Sequence, residues 1–488
     1  MGVQTAAWNA VMTAQPGEQE LEIPASAIEG TLPGELAGGR HLQNGPGWTR
    51  IGERLAHPFD GHGFVRSLTF TSDGGARFRS RFVKTPAYLA ERDAGHLVQK
   101  GLGTNVSDSP LRNFRAPGPR NVSNTTIQPW AGRLVSGWEG GRPYALDPES
   151  LETIGEETFG GALPDAAFLA HVRIDTEAHR LIGCNVFRES PSRFVFREFD
   201  GQGHQVAERE ATIPGMHFEH DFVATPRWYV LAGNPMKASL PKFAKAMLGF
   251  GSLIDALRTD DSKGGELYLI PRGRPGPVRT IRLPQRAFVI HFANACDIDD
   301  DTCAVEMCAF ESFAFGGEFG FQGPHKPLDP GLPDRRPSFQ RLYRATVRSG
   351  SDEAHWEQLS DYGMDFPRVH PAREGRAAPA IYASTRGNRT NSDPFDAIAR
   401  IDTVDRDRPT EVWCAGEGQF VGEPLFAPRP GAGDLDDGWV IAAVYDGIAG
   451  NTKLCVFESR ALANGPIAVV PLPLQPYGFH GFWEGAGA

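Results

Sequence analysis

Four short strings place a histidine among apolar residues where a strand could begin: AHVRID around His171, EHDFVAT around His220, FVIHFANACD around His291 and YGFHGFW around His480. Imidazole is the commonest protein ligand for transition metals. A single strand histidine among the chain's 14 is more often a satisfied polar residue than a ligand. Four that converge on one point differ, because all-imidazole ligation suits Fe, Cu, Zn or Ni and fits Ca2+ or Mg2+ poorly. Structural zinc would call for thiolates or a closed tetrahedron. Four neutral nitrogens leave an octahedral metal its full charge and two open positions, a site for a small molecule such as O2. Glu139, Asp365 and Glu423 lie near comparable positions. A ligating histidine generally donates its second N–H to a carboxylate or carbonyl, so these acids are expected to orient three of the four.

Convergence needs a fold that gathers residues 171 to 480 on one axis. Long helical periodicity is scarce, and 57 Gly and 39 Pro punctuate short β-branched and aromatic runs, which is the pattern of a β protein. One phrase recurs: a polar residue, a short strand, a turn, a strongly apolar strand, then a hairpin. It opens at Asn124, His171, His220, His291, Asp365 and Glu423, with spacings of 47 to 74 residues, in or above the range of four-stranded propeller blades. HGFWEG at the C-terminus begins a seventh phrase without completing it. FDGHGFVRSLTF and ARFRSRFVKT near the N-terminus supply outer strands without an opening. The expected fold is all-β, a seven-bladed β-propeller closed by pairing of the N- and C-terminal segments. It takes in 1–488 as a single domain, with 1–30 as an N-terminal arm.

Composition excludes several roles. The net charge of −11, with no long Lys/Arg run, gives no electrostatic footprint for nucleic acid. The N-terminus lacks the basic and apolar regions of a signal peptide, and Ala6 stands where a myristoylation signal wants Ser or Thr. No apolar run reaches the roughly 18 residues a membrane span needs, so the expectation is a cytoplasmic protein that at most lies on a membrane. The six cysteines, without any C-x-x-C, read as reduced core residues. No protein partner is indicated.

The strings NGPG, FDGHG, SNTTI, GRLVSGWEGGRPYALDPESLET, AHVRID, EHDFVAT, FVIHFANACD, DFPRV, GEPLFAPRPG and PYGFHGFW together resemble the carotenoid cleavage oxygenase family, in order and along nearly the whole chain. The resemblance implies a propeller capped on its active-site face by loops and short helices. It implies non-haem Fe2+ held by His171, His220, His291 and His480, with Glu139, Asp365 and Glu423 behind them, and it places Thr125 where a methyl group shields one open metal position. The implied activity is O2-dependent scission of a conjugated C=C bond of a carotenoid or apocarotenoid, giving two carbonyl products. Two departures stand out. Asp365 occupies a usual Glu position, so its shorter side chain is expected to reach its histidine by a backbone shift or through water. His62 occupies a usual Asp position and reads as a structural loop residue.

Trp138, Phe218 and Phe366 flank the openings and are expected to line a channel for a lipophilic substrate. The segment 236–258 interrupts the strand pattern. Leu240, Phe243, Met247 and Ile254 have helical spacing there beside Lys237, Lys242 and Lys245, which reads as a cap helix or, over 240–258, as a membrane-contact patch. The alternative substrate is a stilbene or phenylpropene cleaved to aromatic aldehydes. It is weakened by Arg120, which stands where hydroxystilbene-cleaving relatives are expected to carry a phenol-contacting Lys.

Overall fold

Short apolar strands alternating with Gly- and Pro-rich turns form seven large antiparallel sheets, besides two two-stranded ribbons, in the computed structural model, which describes residues 2–260, 262–311, 313, 315, 319–330, 340–388 and 394–487. Five are four-stranded and drawn from consecutive chain: 126–156, 173–213, 223–282, 288–358 and 364–414. A sixth is built on 419–473. The molecule is a seven-bladed β-propeller.

The seventh blade is composite. Gly481–Glu484 pairs with Arg40–Gln43, which pairs with His62–Phe70, then Ala76–Phe82, then Gln19–Ile23. The terminal strand is therefore the inner one, with register Leu42 to Phe482 and His41 to Trp483. The segment 1–30 is more than an arm. Glu29–Gly30 joins the outer edge of the sixth blade opposite Val469 and Ala468, and the helix Val3–Met12 buries Trp8, Val11 and Met12.

Each pair of neighbouring blades shares a buried apolar cluster. Leu42, Val65, Ile127 and Leu134 join the composite blade to the first, whereas Leu68, Phe78, Tyr445 and Val456 join it to the sixth. Clusters of the same kind fill the other five gaps. Burying one Val, Leu, Ile or Phe side chain is worth about 1.5–3 kcal/mol, so this packing fixes the ring and the inner strands at its centre. Five cysteines are buried, and four of them, Cys184, Cys303, Cys308 and Cys455, lie in these clusters. Cys414 corrects the core expectation, because it is exposed.

Helices are few and lie outside the sheets: Pro86–Ala94, Pro110–Arg115 and Leu240–Met247 besides the N-terminal one. The helix expected over 240–258 stops at Met247 and is followed by a single 3-10 turn, Ile254–Ala256. Among the described residues no helix is long and apolar enough to cross a membrane.

Candidate metal centre

Three of the four histidines stand just ahead of an inner strand. His171 precedes Arg173–Asp175, His220 precedes Val223–Ala224 and His480 precedes Gly481–Glu484. His291 departs from that pattern, since it is the fourth residue of Phe288–Asp297. Pairing with the next strand shifts register on both sides of it, between Val289 and His291 and between Phe292 and Asn294. Such bulges re-aim a side chain that regular alternation would fix elsewhere.

The four imidazoles meet. One ring nitrogen of each lies within 4.8 Å of those of the others, and ring centroids are 4.3 to 6.4 Å apart. Three rings are held from behind through Nδ1: His220 on Glu139 at 3.1 Å, His291 on Asp365 at 2.7 Å and His480 on Glu423 at 2.8 Å. Asp365 makes this contact directly despite its length. It sits at a register shift in Met364–Arg368, and the next residue, Phe366, has φ +52°. The fourth ring, His171, has Asp221 at 3.8 Å from Nδ1, beyond hydrogen-bond range.

With Nδ1 turned outward, Nε2 faces the axis. His171 Nε2 and His220 Nε2 are 3.2 Å apart, and His291 Nε2 is buried with no hydrogen-bond partner. Converging lone pairs with no protein donor between them fit a transition-metal cation. Burial and the three neighbouring imidazoles hold His171 well below its usual pKa, and burial brings His480 to about 4, so both present neutral nitrogens. Burial alone would raise Glu139 and Glu423, but His220 at the first, and Arg368 with His480 at the second, bring each down to about 2. Both acids are ionised acceptors.

Arg368 was not singled out from sequence. It grips Glu423 with two bonds, Nε to Oε1 at 2.8 Å and Nη2 to Oε2 at 3.1 Å, and also donates to the Gly481 carbonyl. The only signal was its place in DFPRV, three residues after Asp365. Asp221 was also missed. It follows His220 directly, accepts from the Phe292 amide at 2.9 Å and from Arg173 at 2.6 Å, and so ties three inner strands together.

The centre opens onto a cavity walled mainly by aromatic rings, and Trp138, Phe218 and Phe366 all line it. The Phe366 ring lies 5.2 Å from His291 and 5.0 Å from His480. Thr125 lines it too. Its hydroxyl is directed to Asn124 at 3.2 Å and Glu139 at 3.5 Å, which leaves its methyl as the branch available to the cavity. Trp8, Phe319, Gln340 and Arg386 complete the wall from distant parts of the chain, with no periodic mark in the sequence.

Two other residues named from sequence lie elsewhere. His62 opens the strand His62–Phe70 rather than sitting in a loop, and its Nε2 bonds the buried Glu91 at 2.7 Å. Arg120 is buried against Glu91, the Gln99 carbonyl and the Asp60 carbonyl.

Comparison with known proteins agrees with this geometry. The family model described as retinal pigment epithelial membrane protein matches residues 14–485. The chain is 30% identical over 480 residues to the apocarotenoid-15,15'-oxygenase of Synechocystis, covering 96% of this chain and 94% of that protein. It is 28% identical to rice carotenoid cleavage dioxygenase 7 (98% and 90% covered) and 28% identical to lignostilbene-alpha,beta-dioxygenase isozyme III of Sphingomonas paucimobilis (97% and 96%). The solved structure of a cobalt-substituted Synechocystis apocarotenoid oxygenase superposes with a TM-score of 0.88 at 28% identity, over 99% of both chains.

Proposed function

Because the chain belongs to the carotenoid cleavage oxygenase family, we propose that it is an Fe2+-dependent dioxygenase that cleaves a conjugated C=C bond of a carotenoid or apocarotenoid, adding the two atoms of O2 to give two carbonyl products. The observation that carries this reading is the join between a four-imidazole cluster and an aromatic cavity. Neutral nitrogen ligands suit iron, two of the relatives named above are an apocarotenoid oxygenase and a carotenoid cleavage dioxygenase, and the apocarotenoid oxygenase structure is cobalt-substituted.

His171, His220, His291 and His480 would hold the ion, which when bound supplies activation of O2. The chain's own groups do the rest. Glu139, Asp365 and Glu423 keep a proton on Nδ1 of their histidines, so that Nε2 remains a lone-pair donor. Trp138, Phe218 and Phe366 bind a flat polyene by ring contact and exclude water, which fixes the alkene beside the cluster and converts encounter into orientation. The Thr125 methyl occupies one approach to the cluster. The products require no protein nucleophile.

An exposed apolar patch supports delivery of a lipophilic substrate from a membrane surface. Leu240, Phe243, Met247 and Phe250 are exposed, next to Leu111 and Phe114 of the neighbouring helix and among the exposed Lys242, Lys245, Arg112 and Arg115. The Leu102 carbonyl bonds the Ile254 amide, and Leu102 lines the cavity, so the patch adjoins the cavity wall. The stilbene alternative lacks its expected anchor, since Arg120 is engaged away from the cavity.

The test is product identity. Iron-loaded protein is incubated in air with apocarotenals, intact carotenoids and hydroxystilbenes, and carbonyl products are identified by mass. Two carbonyl fragments from one polyene are expected. Aromatic aldehydes alone would replace the reading with stilbene or phenylpropene cleavage, and no carbonyl product despite bound iron would reject it.

A further inference from the structure

The apolar layer between the composite blade and the sixth is interrupted by a small cavity with a polar lining. Strand alternation turns His41, Gln43 and Arg66 toward it, with Gln43 and Arg66 opposite each other in register. Tyr445 and Thr452 of the sixth blade, and Gln475 of the segment leaving it, line the other side. None of these six lines the aromatic cavity beside the histidines.

Arg66 is 4% exposed. Its Nη1 donates to the Pro476 carbonyl at 2.5 Å, whereas Nε and Nη2 are buried with no hydrogen-bond partner among the described residues. No described carboxylate pairs with it, and burial holds its pKa below the usual guanidinium value. The Tyr445 hydroxyl beside it offsets part of this, but that group is neutral, donates to Gln43 at 2.9 Å and accepts from the Gly478 amide at 2.9 Å. Glu423, whose charge reaches His41, is gripped by Arg368. A guanidinium does not shed its proton in a protein, and a buried charge without a partner is strongly destabilising.

The rest of the wall suits a single negative charge. Thr452 Oγ1 accepts from the Gln475 amide at 2.9 Å, so its O–H can donate. Burial and Arg66 bring His41 to about 4, which makes it a neutral ring, and its buried Nε2 has no partner among the described residues. The tautomer with a proton on that atom adds another donor. Gln475 Oε1 is also buried without a described partner, so the wall is rich in donors without being all donor, which disfavours a divalent ion. The space takes about one or two water-sized bodies, enough for a halide and too little for sulfate or phosphate.

We propose that this cavity binds one small monovalent anion, with chloride the abundant example, held by Arg66, Thr452 and His41 as the counter-charge of the buried guanidinium. Arg66 holds the Pro476 carbonyl and Tyr445 the Gly478 amide, so the site braces the segment that leads into His480. It stands independently of which bond the enzyme cleaves.

The experiment measures Tm of the full chain, iron-loaded and metal-free, in sodium chloride, bromide and gluconate at equal ionic strength. Tm is expected to be higher in chloride and bromide than in gluconate, and to rise with their concentration, as for any ligand that binds only the folded state. Arg66→Gln abolishes that dependence. Thr452→Val weakens the anion about 2- to 10-fold, the loss of one hydrogen bond, and serves if Arg66→Gln fails to fold. Anomalous scattering from crystals grown in bromide is expected to place the ion between Arg66, Thr452 and His41. Equal Tm in chloride and gluconate would mean that water alone fills the cavity and would overturn the proposal. A dependence present only with iron would move the anion to the metal, and one undiminished in both variants would move it elsewhere; either result also overturns it.

Discussion

Glu423→Gln separates a carboxylate that orients a ligand from one that merely lies near it. Glu423 accepts four hydrogen bonds, His480 Nδ1 and Arg368 Nε on Oε1, and the Gly481 amide and Arg368 Nη2 on Oε2, at 2.7 to 3.1 Å. All the capacity of a carboxylate is used. Glutamine has the same shape, no charge and an NH2 in place of one oxygen. If the NH2 faces His480, the imidazole must move its proton to Nε2, the atom that faces the cluster. If it faces Gly481 and Arg368, two donors confront it and the buried guanidinium loses its counter-charge. Each unmet buried donor costs about 1–3 kcal/mol, and removing one partner of a buried ion pair costs about 3–5 kcal/mol.

Glu139→Gln should be milder although Glu139 also supports a histidine. Its Oε1 meets His220, but among the described residues its Oε2 has only the Thr125 hydroxyl at 3.5 Å, and a hydroxyl accepts as readily as it donates. Its side chain is 16% exposed against 2% for Glu423. The amide can keep its carbonyl on His220 and turn its NH2 to Thr125. Iron affinity measured by chelator competition should fall about 10- to 100-fold in Glu423→Gln and less than about tenfold in Glu139→Gln. Urea unfolding of the metal-free proteins should show about 3 kcal/mol lost in the first, at the low end of the buried-pair range, and little in the second. Equal losses, or a larger one at Glu139, would refute the argument from hydrogen-bond capacity.

His291→Ala removes one converging nitrogen and should abolish iron retention through gel filtration; a variant that stays fully loaded and active would sink the ligand assignment. Trp8→Ala should cost about 3–5 kcal/mol in urea unfolding. Its ring is buried against Phe420 and Tyr477 at centroid distances of 4.9 and 5.2 Å, and its Nε1 donates to the Phe319 carbonyl at 3.1 Å. Wild-type stability would show the N-terminal helix to be dispensable. Phe243→Ser with Phe250→Ser should lower co-sedimentation with anionic lipid vesicles severalfold while leaving Tm nearly unchanged, since both residues are exposed; undiminished vesicle binding would remove the membrane patch from the reading.

What could be read from sequence and what could not divide along a physical line. The ligand types and the ring were legible because a propeller repeats: a polar residue at or near the start of the inner strand recurs at blade spacing, and a terminal fragment of the same phrase has to complete another blade. The partners were harder because they depend on local breaks in regularity, to which period-two alternation is blind. The inner strand of the sixth blade is split into Gln419–Val421 and Leu425–Pro428, both paired to Gly438–Asp446, and Glu423 projects from the gap between them. Asp365 reaches His291 only where register slips and Phe366 takes a positive φ, a conformation a bulky residue holds only when its surroundings impose it. Arg386 follows the last residue of Ala380–Thr385, outside any repeat, so only the folded cavity reveals what it faces. Repetition therefore announces the imidazoles that would hold the metal, whereas the acids that set their proton position lie at the exceptions to it, where a sequence can change while keeping the same four histidines.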